Sequence, residues 1–369
     1  MIPFYRPSLG KEEIDEVTSV IKSGWIGLGP KTEEFEKELE KFLGKKHIIT
    51  TNSATSALHL ALIASNIKEG DEVISPSLTF VATNHVILYQ KAIPVFCDVD
   101  PNTLCADPND IIKKITPKTR AIIVMHYGGH AVDMDPIIKA VKNKNIMVIE
   151  DAAHAFGGKY KGKMLGTIGD FGCFSFHAVK NITMADGGAI FTKKNNVAKK
   201  LKTLRWMGIN KDTWNRSKSK KYSWHYDVTE VGYKYHPNDV LAALGIAQLR
   251  KFKKVLAKKR KIYNRYTTGL KDVTWLQVPI EKPNEVNSLH NYCIQTRFRN
   301  ELSEHLSSKG IGTSVHYVPN NHYKMYKKFR ADIPVTEKVW KKILLLPFFP
   351  DLSLKDQNYI IESIKTFKP

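Results

Sequence analysis

The alternation of short apolar runs with amphipathic helical segments between residues 47 and 151 most narrowly limits what this chain can fold into. HIITT reads as a strand, SATSALHLALIASNI as a helix, DEVISPS as a strand, TFVATNHVILYQ as a helix and AIPVFCDVD as a strand. RAIIVMHY, MDPIIKAVKNKN and IMVIED repeat the pattern. Strands that alternate with helices build a mainly parallel sheet covered on both faces. Such sheets bind ligands beyond the carboxyl ends of their strands, so functional residues are expected just after these runs. Upstream, EEIDEVTSVIKSG places Ile14, Val17, Val20 and Ile21 on one helical stripe ending at Gly24. KTEEFEKELEKFLG forms a second helix after Gly29-Pro30.

From about 171 to 192 the pattern changes to short strands beside paired glycines, FGCFSF and GGAIFTKK. A long helix begins near 238, and NYCIQTRF, RNELSEHLSSKG and LKDQNYIIESIKTF read as a compact α/β unit behind it. A chain of 369 residues is long for one core. The expected division is a large domain over 1–245 and a small C-terminal domain over 246–369. KKYSWHYDVTEVGYKYHPN is expected to be a long functional loop.

Charge narrows the function classes. The formal net charge is +21, which reads either as a solvated lysine-rich surface or as an attraction for anions: nucleic acid, an anionic membrane or phosphorylated small molecules. Lys and Arg are spread along the chain, densest near 193–205, 218–221 and 250–261, rather than gathered in an arm or tail. With no helix-turn-helix and no aromatic RNA-binding motif, a nucleic-acid-binding regulator is disfavoured. Cys97, Cys105, Cys173 and Cys293 show neither a CxxC pair nor metal spacing, and are expected to be reduced thiols in a cytoplasmic protein. No metal is expected. The N-terminus has no apolar signal region, and no run is long enough to span a bilayer.

Three local features carry chemistry, and each has an ordinary structural explanation when taken alone. In TTNSATSALHLAL, free N–H groups at a helix start, with Ser53 and Thr55, would cradle a phosphate; a simple N-cap would look similar. In VIEDAAHAFG, an acidic pair ends a buried strand and needs partners. Asp151 could pair with a pyridinium nitrogen and His154 with a ring substituent, or the two could be a capping Asp and a core His. In GDFGCFSFHAVKNITMADGGAIF, Lys180 sits among aromatic, small and apolar residues, where desolvation favours the neutral, nucleophilic amine. The adjoining glycines allow close approach of backbone to a bound ring.

Together these segments resemble the sugar aminotransferases of the DegT/DnrJ/EryC/StrS family. The resemblance covers nearly the whole chain and is densest in IEDAAHAFGGKYKGKMLGTIGDFGCFSFHAVKNITMADGGAI, recurring in GYKYHPNDVLAALGIAQL and LPFFPDLS. It implies an aspartate-aminotransferase-like, fold-type I α/β enzyme that uses pyridoxal 5'-phosphate, alternating with pyridoxamine 5'-phosphate. Lys180 matches the family's Schiff-base lysine, Asp151 the partner of the pyridine nitrogen, and His154 the contact to the ring or its 3-hydroxyl. Ala54, Thr55 and Ser175 match the phosphate cradle, and Phe80 the stacking aromatic. A homodimer with shared active sites is implied, with Arg216 and the GYKYHPN loop as candidate contacts. Many relatives carry Asn, Arg and Met where Lys234, His236 and Pro237 stand here; Lys234 could still bind phosphate as a point charge. His316, Tyr317 and His322 lie where relatives bind the sugar nucleotide. The implied reaction moves an amino group from L-glutamate, leaving 2-oxoglutarate, to C4 of a UDP- or dTDP-linked 4-keto-6-deoxyhexose or related keto sugar for surface-glycan or other amino-sugar biosynthesis. Amination at C3 is the alternative, and Lys180 argues against a dehydratase, whose relatives carry His there.

Overall fold

The computed structural model describes residues 1–211, 214, 216 and 224–369. The basic run at 218–221 and the start of the KKYSWHYDVTEVGYKYHPN segment lie outside the described residues. Helices α1 (Lys11–Ser23) and α2 (Pro30–Leu43) open the chain. The expected alternation then follows: β1 (Ile48–Thr51), α3 (Ala54–Ala64), β2 (Glu72–Pro76), α4 (Val81–Tyr89), β3 (Ile93–Cys97), α5 (Pro108–Lys113), β4 (Thr119–Met125), α6 (Met134–Val141) and β5 (Met147–Asp151). Two short strands, β6 (Lys159–Tyr160) and β7 (Lys163–Met164), precede β8 (Phe171–Ser175), β9 (Gly188–Thr192) and α7 (Asn195–Arg205).

The seven-stranded sheet has the order β1-β9-β8-β5-β4-β2-β3. β8, β5, β4, β2 and β3 pair in parallel, whereas β9 runs antiparallel to both β8 and β1. Successive side chains on a strand point to opposite faces, so one sheet feeds two apolar layers. Ile48, Ile122 and Val148 enter one layer, while their neighbours Ile49, Ile123 and Ile149 enter the other. Burial on both faces explains why these strands read as continuous apolar runs rather than alternating ones.

A 32-residue helix, α8 (Asp239–Leu270), links this sheet to the C-terminal elements. At 1.5 Å per residue it is about 48 Å long. Ala242, Ile246, Leu249 and Phe252 pack into the first layer of the large sheet. Further along, Ile262, Tyr263, Tyr266 and Leu270 join a separate apolar cluster. Asp239 accepts from the N–H groups of Gly29, Lys31 and Thr32 at 2.9–3.0 Å, so its carboxylate ties α8 to the start of α2. Beyond α8 come β10 (Leu276–Gln277), β11 (Glu285–Val286), β12 (Tyr292–Thr296), α9 (Arg299–Ser308), α10 (Pro334–Val339), β13 (Ile343–Leu346) and α11 (Leu354–Lys365). β12 lies between β10 and β13, but β11 pairs with β6. The chain therefore returns to the β6–β7 hairpin, with which β11 forms a separate three-stranded sheet, before entering β12.

The stripe on α1 points elsewhere than such a stripe ordinarily does. Val20 and Glu13 are buried, whereas Ile14 and Ile21 are 66% and 62% exposed. Glu13 is held inward by Gln248 and Lys251 on α8, and this orientation splits the stripe, leaving Val20 buried and turning Ile14 and Ile21 outward. Among the described residues no helix is long and apolar enough to cross a membrane.

Candidate active site

β5 and β8 pair in parallel and β1 is aligned with them across the antiparallel β9, so the carboxyl ends of β1, β5 and β8 and the start of β9 lie at one end of the sheet. Glu150 and Asp151 end β5 on opposite faces, and both are buried. Glu150 accepts from the N–H groups of Gly166, Ile168 and Gly169 at 2.6–2.8 Å and meets His126 Nε2 at 2.9 Å. His126 Nδ1 accepts from Val132 N, so His126 is the neutral Nε2–H tautomer donating to Glu150. Glu150 is thus fully occupied by structure. Asp151 accepts from Thr83 Oγ1 at 2.8 Å and from Ala153 N at 3.1 Å. Burial nevertheless holds its carboxyl above the ordinary range, an energetic demand for one more hydrogen-bond donor or positive charge.

Lys180 lies in the loop between β8 and β9. That loop is pinned by Phe176 N to Gly187 O, Met184 N to Phe176 O and Lys180 N to His177 O, all at 2.8–2.9 Å. Tyr5, from the start of the chain, donates to the Lys180 carbonyl at 2.9 Å. Burial lowers the Lys180 amine to about 8 against the opposing pull of Asp151. At pH 7 about one molecule in ten then carries the free amine, against about one in three thousand for an ordinary lysine.

Imidazoles line the same region. His154 Nδ1 accepts from Gly128 N, and its Nε2 lies 3.0 Å from the Tyr317 hydroxyl. Its ring stacks on His290 at 4.1 Å, with His316 at 6.3 Å. Burial, and next the charge of Lys180, hold His154 and His316 below the usual imidazole range, His316 at about 4. His290 is lowered by burial and its cationic neighbours as well. A neutral imidazole lining is the result. Phe80, at the head of α4 and 54% exposed, has its ring 5.8 Å from that of Tyr317.

The anion end is formed by backbone. Ser53 caps α3 by accepting from Ser56 N at 3.0 Å, and the first intrahelical bond runs from Ala57 N to Ser53 O. The N–H groups of Ala54 and Thr55 stand ahead of that bond at the positive end of the helix. Ser175, ending β8, is in register with Gly188. A Cβ on Gly188 would come within 2.5–2.6 Å of the Ser53–Ala54 backbone. Glycine therefore lets β9 press against the cradle.

The structure thus brings Ala54, Thr55 and Ser175 together, and joins Lys180, Asp151, His154, His316 and Tyr317 with Phe80. The Lys234 carbonyl accepts from Asn52 Nδ2 at 3.2 Å, so the GYKYHPN loop runs beside the α3 turn of its own chain. Arg216 lies over the Tyr226 ring at 4.7 Å. His322 pairs with Glu337 at 2.9 Å and meets Trp340 edge-on, apart from the imidazole group. Sequence reading missed Thr83, Tyr5 and His290. Thr83 carried a usable signal, one helical turn after Phe80. Among the described residues no three His, Cys, Asp or Glu side chains cluster as a metal site. A buried carboxylate short of a donor, a partly neutral lysine and a helix-start anion cradle fit the ring nitrogen, aldehyde and phosphate of pyridoxal phosphate.

Comparison with known proteins agrees with this fit. The model of the DegT/DnrJ/EryC1/StrS aminotransferase family matches residues 7–365. Spore coat polysaccharide biosynthesis protein SpsC of Bacillus subtilis is 39% identical over 375 residues, 99% of this chain and 96% of that protein. Spr1654 of Streptococcus pneumoniae, solved in PMP and PLP forms, superposes in the PMP form with TM-score 0.93 at 33% identity, covering 99% of this chain and 98% of that one. PseC of Helicobacter pylori, an aminotransferase involved in the biosynthesis of pseudoaminic acid, gives TM-score 0.91 at 29% identity, with 99% and 98% covered. The chain belongs to the DegT/DnrJ/EryC1/StrS aminotransferase family, the pyridoxal-phosphate-dependent sugar aminotransferases of fold type I.

Proposed function

We propose that this enzyme moves an amino group from L-glutamate to C4 of a UDP- or dTDP-linked 4-keto-6-deoxyhexose or a related keto sugar, for glycan biosynthesis. The observation that carries the reading is the depressed amine of Lys180 beside the buried, donor-hungry carboxylate of Asp151. The glycan setting is supported by the names of SpsC and PseC, and C4 by the HYGGHAVDMD, EDAAHA and GYKY segments.

Bound pyridoxal phosphate supplies an aldehyde for the lysine and a ring that takes up the electrons of a breaking C–H bond. Lys180 Nζ would hold that aldehyde, and as a free amine it would lift and redeliver the α-proton of glutamate, work suited to an amine that titrates near the working pH. Asp151, its carboxylate fixed by Thr83 and Ala153, would hold the ring nitrogen protonated. Ala54, Thr55 and Ser175 would hold the phosphate, and Phe80 would lie against the ring. His154, neutral and braced by Tyr317, addresses the ring substituent without adding charge.

Lys234 of one subunit reaches the phosphate held by its partner in a homodimer, and Arg216 meets the donor carboxylate. His316, Tyr317 and His322 face the sugar-nucleotide side. Exposed apolar residues support association of two copies, among them Trp224, Val228 and Val231, the last 88% exposed, just before the GYKYHPN loop. Nucleotide linkage is supported by the net charge of +21, which gathers a diphosphate.

The test incubates the protein with glutamate and a panel of UDP- and dTDP-linked 3-keto and 4-keto sugars, and assigns the aminated carbon by NMR. Amination at C4 is expected; product at C3 alone moves the assignment, and no product across the panel ends it. Borohydride trapping followed by digestion should place the label on Lys180, and Lys180→Ala should lose both label and turnover.

A further inference from the structure

A second lysine is buried close to the first and has no part in the chemistry above. Lys259 faces inward from α8 and is 1% exposed. Its Nζ donates to Asn181 Oδ1 at 3.1 Å and to the His290 carbonyl at 3.3 Å, and it lies 4.8 Å from the centre of the Phe348 ring. These three partners are electron-rich and uncharged, and burial lowers the amine to about 7. An amine buried without a carboxylate is a poor strut; an apolar side chain of similar length would fill the space at less cost. What an apolar side chain lacks is the pair of N–H donors, which lysine keeps in either charge state.

Those donors lead directly to the active site. Asn181 follows Lys180 in the chain, and its Nδ2 donates to the Ser288 carbonyl at 2.7 Å. Ser288 Oγ donates to the His154 carbonyl at 2.6 Å, and Ser288 N to Gly129 O at 3.1 Å. His290 stacks on His154, and Asn291 N donates to Gly128 O at 3.3 Å. The segment fits tightly: a Cβ on Gly129, whose φ is +101°, would meet Asn287 Oδ1 and Ser288 Oγ at 2.5 Å. Residues 287–291, between β11 and β12, thus form a clasp against the imidazole wall, and Lys259 joins that clasp to the lysine loop.

We propose that Lys259 is a positioning residue: through Asn181 it fixes the loop that carries Lys180, and through the 287–291 clasp it fixes the ring of His154. The inference rests on Lys180 being the reacting lysine.

Hydrogen–deuterium exchange of the full chain as purified tests the clasp without reference to turnover. In Lys259→Met, amides of 177–184 and 287–291 are expected to exchange about tenfold faster, with β4 and β5 unchanged. Asn181→Ala should give the same local pattern, which keeps the test open if Lys259→Met fails to fold. In turnover, each single variant should lose about tenfold in kcat, as sub-ångström misplacement of a reacting group does. The double variant should be no worse than either single, because both act through one contact. Lys259→Arg should recover most of the rate, while Lys261→Met, on the exposed face of the same helix, changes nothing. Unchanged exchange at 177–184, acceleration spread equally over the large sheet, or additive losses in the double variant would each overturn the proposal. If Lys180→Ala keeps turnover, the assignment of the reacting lysine fails instead, and the exchange result stands apart from it.

Discussion

At Lys180 the direction of the pH effect follows from burial. The amine is nucleophilic only when neutral, and its depressed titration near 8 places the change inside the working range. Uptake of the aldehyde cofactor by cofactor-stripped protein should rise about tenfold per pH unit from 6 towards 8 and then level off. His316, held near 4, stays neutral throughout and leaves that slope undistorted. A plateau reached only above pH 10 would show an ordinary, solvated lysine. For Asp151→Asn, loss of the charge proposed to keep the ring nitrogen protonated should lower kcat by about a hundredfold or more. Melting should be unchanged or slightly higher, since a buried carboxylate is removed. The buried surroundings of Lys180, Asp151 and His154 were legible because each sits in a contiguous segment whose composition reports them. Lys259 and His290 were not: Lys259 is 78 residues from Asn181, His290 reaches His154 by stacking, and only folding makes either contact.

Among the elements, the parallel strands were readable from periodicity alone, because burial on both faces leaves an apolar run of strand length. The direction of β9 was not readable, since the run GAIFT carries no polarity and its antiparallel pairing depends on β1 and β8. β6, β7, β10 and β11 span two residues each, too few for any period. On α1 the stripe was real but its facing was not deducible: Glu13, bound by Gln248 and Lys251, decides which side turns inward. The contact between β9 and the α3 turn makes a sharp test at this scale. Gly188→Ala would force Ser53 and Ala54 apart from β9. It should weaken cofactor binding by about tenfold or more while far-ultraviolet circular dichroism is retained, as fluorescence titration can measure.

For the whole molecule, the proposed homodimer with shared active sites predicts complementation between two crippled chains. Lys180→Ala and Lys234→Glu should each be inactive alone. Mixed and allowed to exchange subunits, they should recover about a quarter of wild-type activity, because half the dimers are mixed and half their sites are intact. No recovery, with mixed dimers confirmed by mass, would place Lys234 in its own chain's site, where its carbonyl already meets Asn52. The surplus of positive charge has its own signature. Raising salt from about 0.05 M to about 0.5 M should lower kcat/KM for the proposed nucleotide-sugar substrate and leave kcat unchanged. The hairpin formed by β8 and β9 also bears on how the enzyme comes into being. A ribosome emits β1 long before β9, yet β9 must slot between β1 and β8 before the intervening loop is set, so such non-local closure comes late. The vitamin can then be captured only by a polypeptide whose sheet is already complete, which makes the yellow colour of the loaded protein a certificate of finished folding.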